Sequence, residues 1–287
     1  IRALILSVTA WNYMVSARNA GTRTRQEGQN SMNSTWLAEH VPAFVTVPTQ
    51  LSLYCRRLSD SEPWLYQDRI MPSASLIKLP IMSALFRQEK EGALTLEERC
   101  TVTESVEGGS FYGRDGAVVA LQELVFHMIV ESDNTCANLL IERLGLDTIQ
   151  AEIDRLGLVH TKICRKMMDF EAAAAGRENL TCAADMGCFF SLLANGQCVD
   201  PRRDKAMRDI LSRQEDNCIL PAQLPHTVRV DHKTGELDGI YHDCGLIYAP
   251  GGPFILCLLA RHVANEPKLF YELSYFTRAL YDELQKK

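Results

Sequence analysis

The rhythm of apolar and polar positions changes four times along the 287 residues. From Arg18 to Ser34 the chain is rich in Gly, Asn, Arg and Thr and shows no apolar period, so disorder is expected there and structure should begin near Thr35. Leu51 to Leu58 alternates with β-formers. Trp64-Leu65-Tyr66 follows the polar turn Ser59-Asp60-Ser61-Glu62-Pro63, and together these predict two early strands. Beyond Ala74 the period becomes helical. Ser75 to Glu91 places Ile77, Ile81 and Leu85 on one face and stops at Gly92. Helical periods follow over Leu121–Val130, Thr135–Leu144, Asp147–Leu156, Ala183–Leu193 and Arg202–Arg213, none repeating another. After Pro221, strands are predicted over Val228–Lys233, Ile240–Ala249 and Phe254–Arg261. Ala249-Pro250-Gly251-Gly252-Pro253 forms the turn between the last two, and a final helix runs from Lys268 to Gln285.

Strands at both ends of a helical block describe an α/β layer into which an all-α lobe is inserted. The corresponding division is a leader or disordered segment at residues 1–34, an α/β domain from residues 35–69 plus 215–287, and an α-helical domain over residues 70–214. A site is expected in the cleft between the two domains.

Composition narrows the function classes. A net charge of −6 without a basic run argues against nucleic acid as a partner. No window of about 18 apolar residues is present, which argues against a membrane-spanning helix. Arg2 followed by apolar Ala3 to Ala10, with Val15-Ser16-Ala17 as a cleavage-like site, resembles a weak export signal that Asn12 interrupts; the competing reading is extra sequence ahead of Met32. The ten cysteines, from Cys55 to Cys257, contain no Cys-x-x-Cys pair and offer no zinc spacing. Scattered this way they suit reduced, buried positions, so cytoplasmic residence is favoured over export. No phosphate-binding glycine loop or metal cluster is present, so no cofactor and no metal are expected; the expected partner is a small-molecule substrate, and the protein is expected to be a monomer.

Three short motifs fall where the cleft would be. In Ser75-Leu76-Ile77-Lys78 a spacing of three brings an amine over a hydroxyl, and a lysine in a partly desolvated cleft can take the proton of a serine nucleophile. Ser75 is the only serine in the chain three residues before a lysine, although such a pair by itself is an ordinary helix start. Ser132-Asp133-Asn134 lies between two helices, where it is equally a good N-cap. Lys233-Thr234-Gly235 closes a predicted strand.

The three motifs in this order resemble the set found in class A β-lactamases and penicillin-binding proteins. Residues Glu131 to Leu140 and the order of helices and strands from residue 35 onward are also similar to that family. The resemblance implies a β-lactamase/transpeptidase-like fold with an antiparallel sheet flanked by helices. It also implies an acyl-transfer cleft. Ser75 would be the nucleophile and Lys78 the group assisting its deprotonation. The backbone N–H groups of Ser75 and Glu236 would form the oxyanion hole, with Ser132 passing a proton to the leaving nitrogen. Asn134 would bind the substrate's side-chain amide, and Lys233 and Thr234, followed by Gly235, its carboxylate.

Two departures stand out. Met167 occupies the Ω-loop position where the family carries the glutamate that activates water for deacylation. Glu171, with Asp169 beside it, is the replacement base expected nearby. Cys244 stands where many class A enzymes place an arginine against the substrate carboxylate, which leaves His242 as a weaker, pH-dependent contact. Three functions follow: a slow or re-targeted β-lactamase, an esterase or peptidase acting on another small acyl compound, and a penicillin-binding protein that stays acylated.

Overall fold

The computed structural model describes residues 34–286. The leader expected ahead of them lies outside the described residues, apart from Ser34, which opens helix α1 (Ser34–Phe44). A five-stranded sheet follows, built from β1 (Gln50–Arg57), β2 (Trp64–Tyr66), β7 (Val230–Leu237), β8 (Ile240–Ile247) and β9 (Phe254–Arg261). Its strand order is β2-β1-β9-β8-β7. Every neighbouring pair is antiparallel, with Tyr54 opposite Cys257 and Cys244 opposite Cys257 on the other side.

Strand β9 shows why the sheet lies between two helical layers. Successive side chains of a strand point to opposite faces, so a central strand covered on both sides must be apolar at every position. Phe254, Leu256, Leu258 and Ala260 join one core with Leu37 of α1 and with Leu269, Leu273, Phe276 and Leu280 of the C-terminal helix α9 (Glu266–Gln285). Ile255, Cys257 and Leu259 join the other with Met186, Phe189 and Phe190 of α7 (Ala183–Ala194). That second core continues into α2 (Lys78–Lys90), α3 (Leu121–Val130), α4 (Asn134–Leu144), α5 (Leu146–Arg155) and α8 (Pro201–Leu211).

Two small ribbons brace the helices: β3 (Met71–Pro72) with β6 (Leu180–Thr181), and β4 (Arg99–Thr101) with β5 (Val118–Ala120). A short helix α6 (Phe170–Ala174) sits within the loop between α5 and β6. All described residues fall in one compact unit. We propose that residues 35–69 with 215–287, and residues 70–214, are lobes of that unit. The helix starting at Ser75 is corrected in one respect: Ala74–Ile77 is a 3₁₀ turn, and the α-helix begins at Lys78.

Candidate active site

The 3₁₀ turn matters for the chemistry, because its three-residue period eclipses side chains i and i+3. Lys78 is thereby stacked on Ser75, with Nζ donating to Ser75 Oγ at 3.1 Å. Ala74, ahead of the serine, holds a left-handed φ of 46°, an uncommon conformation for a residue with a β-carbon. Strand β7 runs beside this turn. A β-carbon at Gly235 would stand 3.2 Å from Ser75 N and from Ser73 O, so glycine lets the strand approach the backbone of the nucleophile.

Ser132 lies in the gap between α3 and α4 with a φ of 59°. The fully buried Asp133 fixes this corner, accepting hydrogen bonds from Cys136 N and Phe111 N, both at 2.8 Å. The N-cap reading of the motif is therefore correct for Asp133. Its neighbours on either side turn toward Lys78, whose Nζ donates to Ser132 O at 2.6 Å and to Asn134 Oδ1 at 2.7 Å. Asn134 Nδ2 donates to Glu107 O at 2.8 Å, which leaves its oxygen for the lysine. Ser132 Oγ lies between two amines, 3.3 Å from Lys78 Nζ and 2.9 Å from Lys233 Nζ.

Both lysines are completely buried. Desolvation holds the Lys78 ammonium well below the usual lysine range, and the like charge of Lys233 adds to the effect while Asp133 opposes it. Burial brings Lys233 down to about 7 against the pull of Asp216 and Asp243. A neutral Lys78 can donate its two N–H bonds to Ser132 O and Asn134 Oδ1 and turn its lone pair to the Ser75 hydroxyl, as a general base must.

The segment 164–179 covers one side of Ser75. Asn179 closes its neck: Oδ1 accepts from Cys164 N at 2.7 Å and Arg165 N at 3.1 Å, and Arg165 Nε donates to Glu178 Oε1 at 2.9 Å. Asn138, one turn after Asn134 on α4, grips Met167 at both backbone groups, donating to its carbonyl at 3.1 Å and accepting from its N–H at 2.7 Å. Met167, Met168, Phe170 and Glu178 then line a pocket with Ser75. Neither Asp169 nor Glu171 reaches that pocket. Asp169 Oδ1 caps α6 by accepting from Ala172 N at 2.9 Å and faces a separate hollow with Glu142 and Lys166, while Glu171 is exposed.

A second cleft opens on the other side of Ser75, bounded by Ser132, Asn134, Thr234 and Glu236. His242 does not take part. Its ring is buried, Nε2 donating to Pro72 O at 2.9 Å and Nδ1 accepting from Ala260 N at 3.2 Å, and burial lowers it to about 4. The expectation of a His242 contact to substrate is corrected accordingly: both ring nitrogens are already engaged. Cys244 is likewise buried in the sheet. Sequence reasoning did not single out Asn138, Glu178, Glu215 or Asp216. The four-residue spacing of Asn134 and Asn138 on one helix would have found the first; the other three are brought to the pockets by the fold alone.

A sequence model of the beta-lactamase enzyme family matches residues 39–284. No curated protein sequence matches the chain. Among solved structures, PBP-A aligns with a TM-score of 0.80 at 26% identity, covering 92% of this chain and 100% of that one. A leucine-to-glutamate variant of PBP-A, an acyl-enzyme complex with penicillin G, gives 0.80 at 27% identity over 88% and 97% of the two chains. A beta-lactamase from Sphaerobacter thermophilus aligns at 0.81 and 24% identity, over 88% and 98%, and supports the fold alone. With the family matched over nearly all of the described residues, and with its fold reproduced, this chain belongs to the beta-lactamase family of serine hydrolases.

Proposed function

We propose that the protein works by the class A acyl-enzyme route, with Ser75 attacking a β-lactam or a related ester or amide and releasing the acyl group slowly. The observation that carries this reading is the placement of buried Lys78 Nζ within hydrogen-bond reach of Ser75, Ser132 and Asn134 at once. Lys78 takes the proton as Ser75 Oγ adds to the carbonyl carbon, and the N–H groups of Ser75 and Glu236 receive the oxyanion. Ser132, between the two lysines, hands a proton to the departing nitrogen or oxygen. Asn134 orients the acyl side, and Lys233 with Thr234 orients the leaving side.

Slow release follows from what faces the adduct. Met167 and Met168 present thioethers to the Ser75 pocket, and Phe170 a ring. Glu178, the carboxylate on that segment that lines the same pocket, is bound through Oε1 to Arg165 and to Asn179 N. PBP-A, captured in a variant as an acyl-enzyme with penicillin G, is the similar structure that favours this chemistry here.

The test is intact-mass spectrometry after mixing with penicillin G and, separately, with the thiophenyl ester of N-phenylacetylglycine, which places the same phenylacetamido group beside the reacting carbonyl. One acyl adduct on the wild-type protein and none on Ser75→Ala is expected. A protein unmodified by both reagents, or modified equally in the variant, would overturn the reading.

A further inference from the structure

We infer that His232 is a positioning residue for proton delivery to the leaving atom, keeping Ser132 and Lys233 together through the segment that bridges them; this rests on the acyl-transfer reading above. The contact at stake runs from Lys233 Nζ to Ser132 Oγ, 2.9 Å long, and joins strand β7 to the corner between α3 and α4. Residues 214–217 tie the two backbones together beside it. At one end Gln214 Nε2 donates to Ile129 O at 3.0 Å and Glu215 N to Val130 O at 3.2 Å, at the last two residues of α3 and just ahead of Ser132. At the other end Asn217 Oδ1 lies 3.3 Å from Nε2 of His232, the residue before Lys233.

The His232 end is a buried joint. The ring and the Asp243 carboxylate are both buried, and Nδ1 donates to Asp243 Oδ1 at 2.8 Å. Asp243, on β8, accepts with its other oxygen from Leu220 N at 2.9 Å, so one carboxylate holds both the ring and the chain that follows Asn217. The Asn217 amide is fixed in its orientation, because Nδ2 donates to Gln214 O and Glu215 O, each at 3.0 Å. Both partners therefore face His232 with acceptor oxygens, and His232 is the donor that joins them. Gly245, opposite His232 on β8, leaves room for this, since a β-carbon there would come 2.5 Å from His232 Cβ. His232 lines neither cleft beside Ser75, so it acts through the bridge and not on substrate. The step that depends on it is the departure of an amide nitrogen. The Ser75 Oγ–carbon bond forms, the carbon–nitrogen bond breaks, the nitrogen takes the Ser132 proton, and Lys78 returns to Ser132 the proton it took from Ser75. A thiolate leaves with the bonding electron pair and needs no proton.

Second-order acylation rates with penicillin G and with the thiophenyl ester of N-phenylacetylglycine, read by rapid-quench intact mass, separate positioning from a general loss of structure. Ser132→Ala removes the proton donor itself and sets the pattern, slowing the lactam far more than the thioester. His232→Gln offers one amide nitrogen in place of two ring nitrogens, so it can donate toward Asp243 or toward Asn217 but not to both. It should lower the rate with penicillin G about tenfold or more, and that with the thioester by less than about threefold. Asn217→Ala, at the surface, should give the same selective loss, and the two changes together no more than either alone. If His232→Gln does not fold, Asn217→Ala decides the matter. Unchanged rates in these variants, or equal slowing of both donors, while Ser132→Ala remains selective, would overturn this inference alone. No Ser75-dependent adduct on the wild-type protein, or a Ser132→Ala that slows both donors alike, would remove it together with the acyl-transfer reading.

Discussion

Replacing Lys233 with methionine should stabilise the protein at pH 7, and by less at pH 9. Lys233 is fully buried and titrates at about 7 in the fold against 10.5 ordinarily. Between those values the unfolded chain binds a proton that the folded chain does not, so the stability of the wild-type protein rises with pH through this window. Below pH 7 both states are protonated and the full desolvation cost is present; near pH 10 it is gone. Linkage over this window puts the relief between pH 7 and pH 9 at about 2 kcal/mol. Both hydrogen bonds of Lys233, to Ser132 Oγ and Thr234 O, can be made by the two N–H groups of a neutral amine and do not titrate away. The buried thiols and tyrosines titrate alike in the two proteins and cancel from the difference. Removing Lys233 also removes the like charge that depresses Lys78, which acts in the same direction. Urea unfolding of wild type and Lys233→Met at the two pH values measures the effect, with equal m-values as the control. A stability difference that is unchanged or larger at pH 9 would refute the reasoning.

Asp133→Ala removes an N-cap and leaves the buried Phe111 N–H without a partner, so it should cost about 2–4 kcal/mol in urea unfolding. Acylation should fall with it, since Ser132 and Asn134 are held by that corner. Ser132→Ala takes away the hydroxyl between Lys78 and Lys233. It should lower the acylation rate about 100-fold or more in stopped-flow measurements while leaving the circular dichroism spectrum intact.

Much of this architecture was legible because long elements declare their period. Leu121–Val130 is helical as expected, and β1, β8 and β9 fall within a residue or two of their alternating runs. Helix α1 was missed, with Pro42 breaking its pattern, as was α6, whose five residues are too few to show a period. The two-residue strands Met71–Pro72 and Leu180–Thr181 carry no alternation at all. Strand β7 runs past Gly235 to Leu237 and turns through Asp238-Gly239, a hairpin pair that was legible and passed over. Among the candidate residues, motif spacing sufficed for those on one turn or one helix start. It misjudged His242, because alternation says which face a residue takes but not what already occupies that face. Glu215 and Asp216 were hidden for a related reason: they reach the cleft beside Thr234 and Glu236 only when the segment after α8 folds against β7.

We propose that Ser75 acylates readily and deacylates slowly because Met167 stands at the position where the resemblance to class A enzymes implies a water-activating glutamate. The most direct measurement is the lifetime of the Ser75 adduct, followed by intact mass after excess acyl donor is removed, in wild type and in Met167→Glu. An adduct that persists for minutes or longer in the wild-type protein and clears at least about tenfold faster in the variant is the predicted result. A wild-type adduct that clears within seconds, or one whose lifetime Met167→Glu leaves unchanged, would contradict the account.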